Sequence, residues 1–171
     1  MIFDFIIVGQ GIAGSSFAFN LLRKNKSFYM VDKLNTLSSS RVALGVYNPV
    51  ILKWYTKPWH IQNQLNFFFK FYGEYEQFFK TKIIFDIGVY KYLHTNYDQN
   101  NWLAKSLRLS KLLSNNLYSL NKENLINKKF YGLINSSGRI NVSEFLDSFR
   151  SFCLEKNLLD QSHFDYEQLK I

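Results

Sequence analysis

Three glycines and one acid near the N-terminus are the residues best spaced to do chemistry. Gly9, Gly11 and Gly14 form the pattern G-x-G-x-x-G, and Asp32 follows the last of them by eighteen residues. Glycine at the first position lets the chain turn tightly off a strand through backbone angles that would strain a side chain. Gly11 has no side chain to hold its backbone away from a diphosphate. Gly14, with Ala18 one helical turn on, lets a helix lie close against a sheet. A helix that begins under such a turn aims free N–H groups and the positive end of its dipole at an anion. An acid about twenty residues further on reaches a ribose hydroxyl. Residues of these types, so spaced, hold an adenine dinucleotide.

The elements needed to position them are present. Phe5-Ile6-Ile7-Val8 is an apolar strand, the stretch from Ser15 to about Lys24 is helical, and Phe28-Tyr29-Met30-Val31 is a second strand ending in Asp32. Strand, glycine turn, helix, strand, acid is the order that dinucleotide binding requires. A glycine pattern alone is weak, because glycine-rich turns are common. The weight lies on the agreement of strand, helix, small residue at 18 and terminal acid.

Composition narrows the class. At 171 residues one domain is the default, with enough chain for a substantial core. Hydrophobic residues make up 47% and aromatics 18%, which excludes a disordered composition. The net charge of +8 raises nucleic acid as a partner. The basic residues are scattered singly in a chain rich in Asn, Lys, Ile, Phe and Tyr, a genome-composition pattern that argues against that partner. Cys153 is the single cysteine, which excludes an intrachain disulfide and a C-x-x-C site; between Phe152 and Leu154 it reads as a buried small hydrophobe. His60, His94 and His163 share no ligand spacing, so no metal site is expected. The N-terminus lacks a basic n-region, carries Asp4 ahead of the apolar run and is interrupted by glycines, unlike a signal peptide. No stretch approaches the roughly eighteen apolar residues of a membrane span. A soluble, cytoplasmic protein is the expectation.

After Asp32 comes Lys33, then Ser38-Ser39-Ser40-Arg41-Val42-Ala43-Leu44-Gly45-Val46-Tyr47-Asn48-Pro49. By composition this is a loop or short helix edge that becomes extended before Pro49. Three hydroxyls followed by a glycine-containing apolar segment suit a polar tail and then a flat ring; a serine-rich surface turn has the same composition. With the glycine pattern and the acid, this segment resembles the D-amino-acid oxidase and glycine oxidase family of FAD-dependent oxidoreductases. The resemblance covers residues 4–49. It implies that Gly9, Gly11, Ile12, Ala13 and Gly14 hold the FAD diphosphate, and that Asp32 and Lys33 sit at the adenosine ribose. Ser38, Ser39 and Ser40 would meet the pyrophosphate and ribityl chain, and Leu44, Gly45 and Val46 the edge of the isoalloxazine. Leu44 departs from the alanine usual at its position.

The remaining chain reads more loosely. From His60 to Lys80, Ile61, Leu65, Phe68, Phe69, Tyr72, Tyr75 and Phe79 make an amphipathic helix with an aromatic stripe that is expected to be core, although Gly73 weakens a single unbroken helix. Trp54 and Trp59 are expected to pack, or to wall a cavity. Two strand segments flank Gly88, a helix surrounds Trp102, and residues 114–129 read as an exposed turn-prone stretch. Tyr131–Ile134 and Ser137–Ile140 suggest a hairpin. Asn141 and Glu144 suggest a capping box opening a helix through Phe145, Leu146, Phe149, Phe152 and Cys153. Arg139, at a turn, reads as structural.

The fold class expected is α/β: a Rossmann-like FAD-binding βαβ unit with an inserted α+β substrate-domain portion, truncated on its C-terminal side. Residues 1–50 would be the FAD-binding unit and flavin-contacting loop, 51–140 part of a substrate or cap region, and 141–171 the return helix and the start of a missing half. The family's second flavin-binding segment and its substrate-carboxylate groups have no counterpart here, so no catalytic residue is named. The activity implied is oxidation of a small primary or secondary amine or amino acid by hydride transfer to flavin N5. Other readings stay open: an NAD(P)-binding Rossmann module, which leaves the serine triplet without a role; an inactive FAD-binding fragment; one half of a pair completed by a separate C-terminal chain; and a flavin enzyme acting on modified tRNA, which the charge permits.

Overall fold

The computed structural model describes residues 2–34, 36–119 and 129–168. They divide into two compact units: the first comprises residues 1–45, 74–83 and 141–171, the second residues 46–73 and 84–140.

The first unit is built on a parallel sheet. β1 (Phe5–Val8) leads through the glycine turn into α1 (Ile12–Arg23), which returns to β2 (Phe28–Val31), paired in parallel with β1 from Phe5↔Phe28 to Val8↔Val31. β9 (Leu159–Asp160) pairs in parallel with the other side of β2, giving the order β1-β2-β9. β2 is buried along nearly its whole length, as an interior parallel strand should be. The helix starts at Ile12, earlier than the Ser15 expected, because Gly11 is its N-cap and the last glycine of the pattern lies inside its first turn.

Helices cover this sheet. On α1, Ser15, Ala18, Phe19 and Leu21 are buried; on α5 (Val142–Glu155), Val142, Phe145, Leu146, Phe149, Arg150 and Cys153 are. The spacing on α5 is that of one helical stripe. An aromatic cluster joins them: Tyr75 lies 5.0 Å from Phe19 and 4.6 Å from Phe145, ring to ring, and its hydroxyl donates to the Phe145 carbonyl at 2.6 Å. Tyr75 belongs to α3 (Ile61–Phe79), which runs unbroken through Gly73. The aromatic stripe is core in part: Leu65 and Tyr75 are buried, Phe68, Tyr72 and Phe79 are half-buried, and Phe69 is exposed, while Phe71, outside the expected stripe, is buried. Half of the expected capping box forms on α5. Asn141 accepts from Glu144 N–H, but the Glu144 carboxylate accepts from the Thr81 hydroxyl instead of reaching back, while the Asn141 N–H donates to Ile83.

The second unit holds two antiparallel sheets, β3-β8-β4 and β5-β7-β6. The first contains β3 (Val46–Tyr47), β4 (Ile84–Phe85) and β8 (Gly138–Ile140); the second contains β5 (Val89–Leu93), β6 (Leu113–Ser119) and β7 (Phe130–Ile134). β7 and β8 are therefore not the hairpin expected. Gly138 lies so close to the Phe85 carbonyl and the Tyr47 hydroxyl that a Cβ would come within 2.5 Å of both, which seats β8 between β3 and β4. Residues 114–119, expected as an exposed turn, extend β6, which pairs with β7 through an irregularity between Leu113 and Leu117. The rest of that expected loop, 120–128, lies outside the described residues. Val50, Tyr55, Leu93, Trp102, Leu112, Leu113 and Ile134 form the core. Trp102 comes from α4 (Asn96–Arg108), whose N-terminus carries a full Thr95–Asp98 capping box.

Candidate dinucleotide site

The glycine turn has the geometry its spacing implies. Gly9 sits at φ +95°, which L side chains rarely adopt, and its N–H donates to the Val31 carbonyl at 2.9 Å. A Cβ on Gly14 would fall 2.1 Å from the Gly9 carbonyl oxygen and 3.4 Å from Ile7, so the helix lies as close to the strand as its backbone permits. Gly11 caps α1 without a side chain, and the first turn carries no acid. The helix N-terminus thus has no side-chain cap from its own N-cap residue and no acid in its first turn.

The serine segment reaches this turn. Ser38 precedes α2 (Ser39–Val42), and Ser40 places its hydroxyl oxygen 3.1 Å from the Ile12 N–H, which donates to it. A Cβ on Gly11 would come to 2.9 Å from the same oxygen. Gly11, Ile12 and Ser40 therefore bound one cradle, and the Ser40 proton is left to donate toward an anion. Arg41 pairs with Asp147 of α5 at 2.7 Å and anchors this short helix to the unit. Ala13 and Ser39 are exposed, and Ser38 is half-buried. Leu44 is exposed, Gly45 turns at φ +68°, and Val46, also exposed, opens β3 of the second unit.

Asp32 stands at the end of β2 with its carboxylate already held. One oxygen accepts from the Gln10 N–H at 2.9 Å, the other from Arg150 at 2.9 Å. Each oxygen has a second lone-pair site, so accepting capacity remains. Asp32 also borders a cavity of about 220 Å³, with Gly9, Lys33, His163, Phe164 and Tyr166. A glycine-bounded helix N-terminus and a cavity lined by an acid fit an adenine dinucleotide.

Gln10, Arg150 and Gln161 escaped the sequence reading. Arg150 donates to Asp32, Gln10 and Gln161; Gln10 in turn donates to the Leu146 carbonyl and to Ser15. The signal available was a cation on the apolar stripe of α5, in step with Leu146, Phe149 and Cys153, where an unpaired charge would not be tolerated.

Trp54 is 61% exposed and Trp59 82% exposed, so packing does not account for either. Cys153 is fully buried; burial pushes its thiol up to about 12, against the lowering effect of Arg150, so it is no nucleophile. Among the described residues no group of three His, Cys, Asp or Glu side chains could hold a metal ion, and no helix is long and apolar enough to cross a membrane.

No protein-family profile matches the sequence. Solved structures do match in fold. NikD, an unusual amino acid oxidase essential for nikkomycin biosynthesis, superposes at TM-score 0.67 with 12% identity over 92% of this chain and 42% of its own. Glycine oxidase from Bacillus cereus gives TM-score 0.62 and 16% identity over 93% and 45%, and iminodiacetate oxidase from Chelativorans sp. BNC1 gives 0.62 and 13% over 93% and 47%. The α/β fold is shared with part of these oxidases. The chain spans less than half the length of the proteins it matches.

Proposed function

We propose that this chain is the FAD-binding part of an FAD-dependent oxidoreductase acting on a primary or secondary amine or an amino acid. The observation that carries this reading is the meeting of Ser40 with Gly11 and Ile12 at the head of α1. An NAD(P)-binding βαβ unit needs the glycine turn and the acid but gives that serine segment no work. The amino-acid oxidases that share the fold support the reaction class.

Gly9, Gly11, Ile12, Ala13 and Gly14 would hold the diphosphate through backbone N–H groups and the α1 dipole, with Ser40 donating a hydroxyl from the side. Ser38 and Ser39 would follow the ribityl chain, and Leu44, Gly45 and Val46 would lie along the ring edge. Asp32 would accept from the ribose diol, with Lys33 beside it. The flavin supplies the two-electron acceptor. The protein's part is to orient the substrate C–H bond, which asks for no acid–base pair in this chain.

Substrate-holding groups would belong to the portion of the fold that the chain does not span, carried by a C-terminal half. Among the described residues no strand pairs with the second edge of β1, and such a half would add its strand there. Cytoplasmic location is part of the same proposal.

The deciding experiment is a visible spectrum of the purified 171-residue protein, followed by separate titrations with FAD and NAD. A yellow protein, or saturable binding of FAD without NAD, is expected. Saturable NAD binding in preference to FAD would overturn the reading.

A further inference from the structure

We propose that Arg150 is a positioning residue: it fixes the Asp32 carboxylate so that its remaining lone pairs grip the ribose diol of an adenine nucleotide, and thereby sets the site's preference for ribose over deoxyribose. The inference rests on the FAD reading of the site and adds to it a residue far outside the glycine and serine segments.

The guanidinium holds Asp32 at two points, one carboxylate oxygen and its own backbone carbonyl. Arg150 lies on the buried stripe of α5 and is 7% exposed. Its Nη1 donates to Asp32 Oδ2 at 2.9 Å and to Gln10 Oε1 at 3.1 Å; its Nη2 donates to Gln161 Oε1 at 3.1 Å and to the Asp32 carbonyl at 3.4 Å. From the other direction the Gln10 N–H holds Asp32 Oδ1 at 2.9 Å. Gln10 is itself fixed, its side-chain amide donating to the Leu146 carbonyl at 2.8 Å.

The terminal torsion of an aspartate is broad and would otherwise leave the carboxylate free to rotate. Here rotation breaks the bond to Arg150, the bond to Gln10, or both. Accepting capacity is left on the carboxylate, and Asp32 lines a cavity together with Gly9 and Lys33. The guanidinium also offsets the acid's charge, which would otherwise repel the diphosphate that the same turn is shaped to hold. A purely structural staple between α5 and β2 would need the ion pair, but would have no bearing on which sugar binds.

That difference is the test. The full chain, R150Q and R150K are each titrated with ADP and with 2′-deoxyADP, and folding is checked by circular dichroism. Wild-type protein is expected to favour ADP on the order of tenfold, the worth of one hydrogen bond to a charged group. In R150Q the ratio should fall to about one, mainly through loss of ADP affinity. R150K keeps the charge without the fork, so it is the variant expected to fold where R150Q does not, and its ratio should fall too. A folded variant that keeps the wild-type ratio overturns the role of Arg150 while leaving the FAD reading standing. Wild-type protein that binds ADP without preferring it removes the ribose role of Asp32, and the proposal with it. Wild-type protein that binds neither ADP nor FAD refutes the reading of the whole site.

Discussion

Gly14→Ala separates two effects of opposite sign. Gly14 lies inside the first turn of α1, where alanine in place of glycine is worth about 1 kcal/mol of helix propensity. Judged on that alone, the substitution stabilises. The structure gives the other sign. The added methyl would stand 2.1 Å from the Gly9 carbonyl oxygen and 3.3 Å from its carbon. These are backbone atoms, and Gly9 is held by its own N–H bond to Val31 and by its φ of +95°. No side chain can rotate away, so α1 must move off the sheet by about an ångström, loosening the packing of Ala18 and Phe19 beneath it. Overpacking of this kind costs about 1–3 kcal/mol, and a contact this short belongs at the upper end. The net expectation is a loss of about 1–2 kcal/mol, or roughly 5 °C in thermal midpoint for a chain of this size. Thermal unfolding followed by circular dichroism, with urea midpoints as a second measure, reads it. A variant as stable as the parent or more so would refute the close seating of α1 on the turn.

Gly11→Val is expected to leave stability nearly unchanged, because Gly11 at φ −87° has a backbone any residue adopts and its new Cβ would press mainly on the Ser40 hydroxyl; FAD titration should show at least a hundredfold loss of affinity, about 2.7 kcal/mol. Stability should decline in alkali: burial raises both the Tyr75 phenol and the Cys153 thiol, so their contribution is complete below the unfolded values of about 10 and 8.5 and is lost as the pH climbs through the folded ones. Unfolding midpoints from pH 8 to 11 check this, and Tyr75→Phe or Cys153→Ala should flatten the slope. Tyr47→Phe should be neutral or stabilising, since it removes a buried hydroxyl with no hydrogen-bond partner among the described residues while keeping the ring against Phe68, and a lowered urea midpoint would count against it. Ile6→Lys should leave the thermal midpoint unchanged and reduce concentration-dependent association in sedimentation, because Ile6 is 63% exposed on the open edge of β1.

What was legible in the sequence was local. β1, α1 and β2 follow from short-range pattern and one glycine pattern, and nothing distant is needed to form them. α3 runs unbroken through its glycine, and an added Cβ at Gly73 would meet nothing within 4 Å, so no close approach requires glycine there. The failures concern partners far away in sequence. β7 and β8 look like two arms of a hairpin until Gly138 is seen fitting under Tyr47 and Phe85, residues about ninety and fifty positions away. Asn-rich residues 114–119 lack strand propensity and are strand because β7 pairs with them. At the site, glycine spacing located the turn, but Arg150 is 118 residues from Asp32 and no local rule joins them.

β1 has the composition of one position and occupies another. Phe5, Ile6, Ile7 and Val8 form a continuous apolar run, the mark of a parallel strand buried on both faces, yet among the described residues the order β1-β2-β9 puts it at the sheet's edge, and of its four residues Ile7 alone is buried. In doubly wound sheets the first strand lies in the middle, flanked on one side by the second and third strands and on the other by the fourth. β9-β2-β1 is one side of that arrangement. An edge strand this apolar, without a charge, proline or bulge to blunt it, departs from how edges are ordinarily protected. Its residues make physical sense as an interior strand, with a further parallel strand against the side that β2 leaves open. The glycine turn at its end then lies at the point where the strand order reverses, the crevice in which open parallel sheets bind their ligands.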